Sequence, residues 1–322
     1  MNTLAHNIST RLPQRTFGMK GFSLIEMMIS ITIGLMIIAA LVGVVASNAR
    51  SSKANDSTSE LQSNGRYALD HLRFELYHAG FRGYTWAQPN TPTITGINNE
   101  CLDGGAANSF ATNLRQGIWG ANDNDPYSAN CLPAANYLRG DVLVIRRLAG
   151  TPTPSASLDS NSLYFRSSYA SGQIFQGINE PASISIAPVA DFAVQEYVYY
   201  IGVDDNDSTV PALRRVTLQG NTMVDEMVVS GIEHMEVQYG IPSTDLTTQY
   251  YDANSITGSS TSDIPTPWEN VNSVQIWLLA RNAKADAGYS NTNTYTMGDV
   301  DYGPVNDSFR RQLFTTVVQL RN

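Results

Sequence analysis

The sequence predicts an α+β protein: one long N-terminal helix followed by an antiparallel sheet. Three observations predict it. Residues 22–46 form an apolar run whose only charge is Glu26. Residues 47–80 contain no proline and keep a helical apolar spacing. From residue 141 onward the apolar period shortens to that of strands. An amphipathic helix has to bury its apolar stripe, so the sheet is expected to receive it.

The elements follow in order. Residues 1–21 hold Arg11, Arg15 and Lys20 and no acid, a local charge of +3, against −9 for the chain of 322 residues. A basic segment ahead of an apolar span reads as cytoplasmic, with the remainder exported. Residues 22–46 would span about 37 Å as a helix, enough for a hydrocarbon core of about 30 Å. A secretory signal is the rival reading, with "VVA" at 44–46 and cleavage before Ser47. That apolar region is longer than the usual 7–15 or so residues of such signals, and Glu26 would have no purpose in one. Within 47–80, Leu61, Ala68, Leu69, Leu72 and Leu76 fall near one face, and Gly80 supplies a C-terminal stop. A single helix over 22–80 would be about 88 Å long. Gly34 and Gly43 read equally as weak points of that helix or as sites of close packing.

Strands are expected at 141–148, 162–168, 192–203, 212–220, 231–240, 273–281 and 312–321. "VDDNDSTVP" (203–211) reads as the loop of a hairpin. Polar segments at 86–136, 241–272 and 282–308 read as long loops. The first holds both cysteines, Cys101 and Cys131, in a Gly- and Asn-rich setting unlike buried core. In an oxidising compartment they would pair and close a loop of about 31 residues, worth roughly 3–4 kcal/mol; the alternative is two unrelated reduced thiols. Residues 81–140 would then be a disulfide-closed insertion in an extracytoplasmic domain covering 81–322.

Composition and motifs exclude several classes. The acidic balance lacks the basic footprint of a nucleic-acid binder, so no direct nucleic-acid binding is expected. No HExxH, GxSxG, P-loop or dinucleotide fingerprint is present, and neither an enzyme nor a cofactor is expected. The histidines are His6, His71, His78 and His234. His71 and His78, seven apart, would lie about 10.5 Å apart along a helix, too far to share a metal, and read as a solvated face. Two oxygen-rich stretches supply candidate calcium ligands, Asp123 with Asp125 and Asp205 with Asp207. Neither has the twelve-residue EF-hand spacing, and the turn preference of Asp and Asn accounts for both without a metal.

The stretch "KGFSLIEMM", covering Lys20, Gly21, Phe22, Ser23, Leu24, Ile25 and Glu26, resembles the prepilin signal of type IV pilins and type II secretion pseudopilins. That resemblance implies that residues 1–21 are a leader removed by a prepilin peptidase between Gly21 and Phe22. It also implies N-methylation of Phe22 and a role for Glu26, the fifth residue of the product, in subunit assembly. The C-terminal half is similar to the PilW family of minor pilins. The similarity lies in "YYIGVDDNDSTVPALRRVTL" (199–218), "VNSVQIWLLAR" (271–281) and "FRRQLFTTVVQLRN" (309–322). It implies a pilin-like fold and a subunit of a priming complex at the inner membrane that later sits at the pilus tip. The implied partners are other minor pilins, the major pilin, the inner-membrane assembly platform and a large tip adhesin. The implied uses are adhesion, motility or DNA uptake. Two other readings stand beside it: a minor pseudopilin similar to the GspJ type of a type II secretion system, and a membrane-anchored periplasmic binding module that never polymerises.

Overall fold

A computed structural model describes residues 21–321, except 86, 88, 91–93, 95, 183–186, 246 and 263–264. Residues 1–20, with Arg11, Arg15 and Lys20, lie outside the described residues. The chain divides into two compact units between Ala54 and Asn55. One α-helix, α1 (Leu24–Tyr77), runs through the first and into the second. It starts two residues later and stops three earlier than the sequence predicts. At its end Gly80 adopts φ 75°, the left-handed region open to glycine, and its N–H donates to the Arg146 carbonyl at 2.9 Å.

Fourteen strands follow among the described residues. In chain order they are β1 (Pro89–Asn90), β2 (Ile118–Ala121), β3 (Arg139–Leu148), β4 (Leu163–Ser168), β5 (Gly172–Gln176), β6 (Val189–Val203) and β7 (Pro211–Gln219). Then come β8 (Thr222–Ser230), β9 (Ile232–Pro242), β10 (Thr248–Tyr251), β11 (Ser273–Arg281), β12 (Tyr295–Met297), β13 (Val300–Tyr302) and β14 (Arg311–Gln319). All seven expected strands are present. The polar segments read as long loops are not free of structure: they contain β1, β2, β10, β12 and β13. Between expected strands lie β5 and β8.

The strands form three sheets. An eight-stranded sheet has the order β1-β5-β4-β6-β3-β2, with β7 and β8 branching from β6. Strand β6, rich in β-branched and aromatic residues, organises it. Its Val189–Ala193 stretch pairs with β4, while Tyr197–Val203 pairs with β7. A four-stranded sheet has the order β10-β9-β11-β14, and β12 with β13 makes a hairpin. Every pairing is antiparallel except the two-residue contact of β1 with β5.

The main core joins the helix face to both larger sheets. Leu61, Ala68, Leu72 and Leu76 are buried there, and Leu69 packs at its margin, as the helical spacing predicts. Gly65 belongs to the same face; a Cβ on it would fall 2.1 Å from the Phe314 ring of β14. Hydrogen bonds and an ion pair add direction to this apolar contact. The Asn64 side chain donates to the Ser230 carbonyl at 3.2 Å, and His71 Nε2 lies 2.9 Å from the Tyr199 hydroxyl. His71 is thus half-buried against the sheet, not on a solvated face. Burial, then Arg215, lowers its pKa, which favours the neutral ring.

The buried pair of Glu75 in α1 and Arg147 in β3 is the strongest polar tie between helix and sheet. Arg147 Nε donates to Glu75 Oε2 at 2.7 Å. Removing a partner from such a pair costs more than the pair contributes, because the remaining charge stays buried. Glu75→Gln is therefore expected to lower stability by about 2 kcal/mol. The reading is a lower urea midpoint at unchanged slope. An unchanged midpoint would mean that the apolar face alone holds the helix.

The cysteine-bearing segment also departs from expectation. Cys101 and Cys131 are disulfide-bonded and both lie inside the main core. Phe110, Trp119, Tyr127 and Leu132 are buried with them. A polar composition hides this because Phe110, Trp119, Tyr127 and Leu132 turn inward from a segment otherwise rich in Asn, Gly and Asp.

Candidate functional site

The site singled out in the sequence is the head of α1. Gly21, Phe22 and Ser23 are not helical, and Phe22 is 80 % exposed. The first helical bond runs from the Met27 N–H to the Ser23 carbonyl at 3.1 Å. Ser23 closes the helix start reciprocally with Glu26. The Ile25 N–H donates to Ser23 Oγ at 3.3 Å, and the Ser23 N–H donates to Glu26 Oε2 at 3.4 Å. This is the S-x-x-E capping box, legible in "SLIE". The carboxylate is exposed, and its only described donor is that long hydrogen bond.

Below this cap the helix is apolar on all sides as far as Ala46. Leu24, Met28, Leu35, Met36, Leu41 and Val45 are all more than half exposed. It is the one described helix long and apolar enough to cross a membrane, with a mean hydropathy of 2.7 over its best window and none of that window buried. A helix of this kind has to be covered by lipid or by apolar surfaces of other chains. A carboxylate beside such a surface costs roughly 2.5–3.5 kcal/mol unless it finds a partner. An ammonium group would remove most of that cost.

Arginines at the ends of the C-terminal strands converge. Arg281 at the end of β11 and Arg311 at the start of β14 both meet the buried Glu233 of β9, Arg281 at 3.6 Å. Arg311 also donates to Asp307 at 2.7 Å. Across the β7–β8 pair, Arg214 binds Asp225 at 2.9 Å and Arg215 binds Glu226 at 2.5 Å. These charges serve strand register, with the Arg281 guanidinium over the Phe309 ring and that of Arg215 over the Tyr197 ring.

The candidate calcium ligands separate. Asp205 pairs with Arg214 at 2.5 Å. Asp207 accepts from the Thr209 N–H at 3.0 Å and its hydroxyl at 2.7 Å, and those bonds hold its carboxyl below the ordinary range. Both are thus engaged in the β6–β7 turn. Asp125 accepts from the Tyr127 N–H at 2.8 Å. Asp123 instead lies beside His234 and Glu236 of β9, a grouping absent from the sequence reading. The available signal was "EHME" at 233–236, three titratable residues inside an otherwise apolar strand.

Comparison with known families agrees with both ends of the chain. Residues 198–322 match the model of PilW, described as Type IV Pilus-assembly protein W. Residues 18–42 match the prokaryotic N-terminal methylation motif. No curated protein and no solved structure matches the chain.

Proposed function

The two matched models support a type IV pilus PilW-family pilin with a prepilin signal, and on that premise we propose that the chain is a minor pilin that helps to start pilus assembly. The observation that carries the reading is the head of α1. An exposed, non-helical Gly21-Phe22 step stands ahead of the apolar first part of α1, residues 24–46, whose single acid, Glu26, has no charged partner in its own chain among the described residues. Cleavage by a prepilin peptidase after Gly21 would create an ammonium at Phe22, which the same enzyme would methylate. In a filament that ammonium would meet Glu26 of a neighbouring subunit and set the register of the two helices. The uncut chain would be a single-pass inner-membrane protein with its 81–322 domain in the periplasm.

The product would have 301 of the 322 residues. A head of that size, with long polar excursions, suits a tip with neighbours on one side better than a closely packed shaft. The partners are then the assembly platform, other minor pilins, the major pilin below, and a large adhesin at the tip. Adhesion, motility or DNA uptake would follow from the pilus, not from this chain's own chemistry.

Mass spectrometry of sheared surface filaments tests this reading. A peptide beginning at N-methyl-Phe22 is expected, together with loss of surface pili on deletion of the chain. A peptide beginning at Ser47, or absence from filaments, would reject it in favour of a signal sequence or a non-polymerising module. Loss of protein secretion with pili intact would assign the chain to a secretion system instead.

A further inference from the structure

Strand β9 buries three titratable side chains in four residues: Glu233, His234 and Glu236. Alternation along the strand sends Glu233 to one face, where Arg281 and Arg311 neutralise it, and the other two to the opposite face. On that second face compensation is missing. Glu236 is 0 % exposed, no N–H or hydroxyl donates to either of its carboxylate oxygens, and it faces His234 and the carboxyl of Asp141. His234 is also buried; its Nδ1 makes no hydrogen bond and lies 3.1 Å from Glu236 Oε1. A buried carboxylate without donors is costly, and native proteins pair it or place it on a cation.

A third group closes the arrangement. Asp123, in the loop after β2, is exposed, and one ligand atom from each of Asp123, His234 and Glu236 lies within 4.8 Å of the others. Asp123 is held there by the chain around it. Asp141 of β3, almost fully buried, accepts from the Asp123 N–H at 3.0 Å and from the Val237 N–H of β9 at 2.8 Å. Gly140 makes room: its φ is 75°, and a Cβ there would fall 2.6 Å from the Met235 carbonyl and 3.1 Å from His234 Nδ1.

We propose that Asp123, His234 and Glu236 bind one divalent cation of the borderline class typified by Zn2+, through one imidazole nitrogen and two carboxylate oxygens. The donor set selects the class. Zinc sites take three such protein ligands and complete the sphere with water, whereas calcium takes six to eight or so oxygens. Ligand atoms on a tetrahedral zinc stand about 3.4 Å apart, and rotation of the exposed Asp123 side chain, on a backbone fixed by Asp141, would close the remaining distance. Asp141 acts through the backbone it holds and is a positioning residue. A bound cation would clasp the disulfide-bearing segment of the eight-stranded sheet to β9 of the four-stranded sheet.

The test uses the full chain in detergent with Zn2+ as the probe. Metal content after dialysis is expected at one Zn2+ per chain. The melting temperature should rise by about 5 °C at a free zinc concentration 100-fold above the dissociation constant. Glu236→Gln should abolish both readings while folding at least as well without metal, because it removes a buried charge. Asp123→Asn changes an exposed side chain and should lose both readings with the fold untouched. Asp141→Asn should weaken binding by about 10- to 100-fold. Zinc binding unchanged in Asp123→Asn and Glu236→Gln, or lost only when His71 and His78 are replaced, would overturn the site. So would substoichiometric zinc in the native chain, which would leave Glu236 and Asp141 as a pair sharing a proton. Calcium bound in place of zinc would overturn the class.

Discussion

Glu26→Ala is expected to leave membrane insertion and folding of the 81–322 domain intact while cutting recovery of the chain in sheared pili by about 100-fold. The figure follows from about 3 kcal/mol for leaving one charge of a desolvated pair unpartnered, at 1.4 kcal/mol or so per decade. Two roles of Glu26 have to be separated, since its carboxylate also caps α1 through the Ser23 N–H. Glu26→Gln keeps an oxygen to accept that bond and loses the charge. It is expected to be excluded from pili nearly as strongly as the alanine variant. Normal recovery of the glutamine variant beside poor recovery of the alanine variant would reduce Glu26 to a helix cap. Normal recovery of both would remove it from assembly. Quantitative immunoblots of sheared and cell-bound fractions give the ratio directly.

Removing the disulfide has the second large effect, on the head and not on assembly. Cys101→Ala with Cys131→Ala is expected to cost about 3–4 kcal/mol, since the bond spans 30 positions of sequence. For a head of this size that is a fall of about 10 °C in melting temperature. The loop it closes carries Phe110, Trp119 and Tyr127 into the main core. Its release would therefore loosen packing as well as lengthen the unfolded chain's freedom. Alanine is the better replacement because both sulfurs are buried and serine would leave hydroxyls unpaired. Chemical reduction of the native chain should reproduce the shift. A melt unchanged by either treatment would show that packing alone holds the segment.

The strands that could be read were those with β-branched and aromatic runs, such as β6 and β11. Strand β8 (Thr222–Ser230) is not legible in the sequence because Asp225 and Glu226 interrupt its pattern. The structure explains them: each pairs with an arginine of β7 across the ladder, so charge stands where alternation would place apolar residues. Short strands inside polar segments, β2 and β10 among them, are hidden because each is four residues long, too short to show a period. His71 was misplaced for a related reason. Helical spacing puts it beside the apolar stripe, and only the position of Tyr199 turns a flank residue into a contact.

By itself the sequence determined what depends on local order. The charge step, the capped apolar helix with Glu26 at its head, the amphipathic turn pattern through Leu76 and the stop at Gly80 are all written in adjacent residues. Each acts through the backbone or through a neighbour within a few positions. What only tertiary structure decided concerns groups distant in sequence and adjacent in space. Cys101 and Cys131 enter the core, Glu75 finds Arg147, Glu233 gathers two arginines, and Asp123 comes to face His234 and Glu236. The physical reason is range. Capping and helical periodicity are settled within a turn or two, whereas the fate of a buried charge depends on which strand folds opposite it.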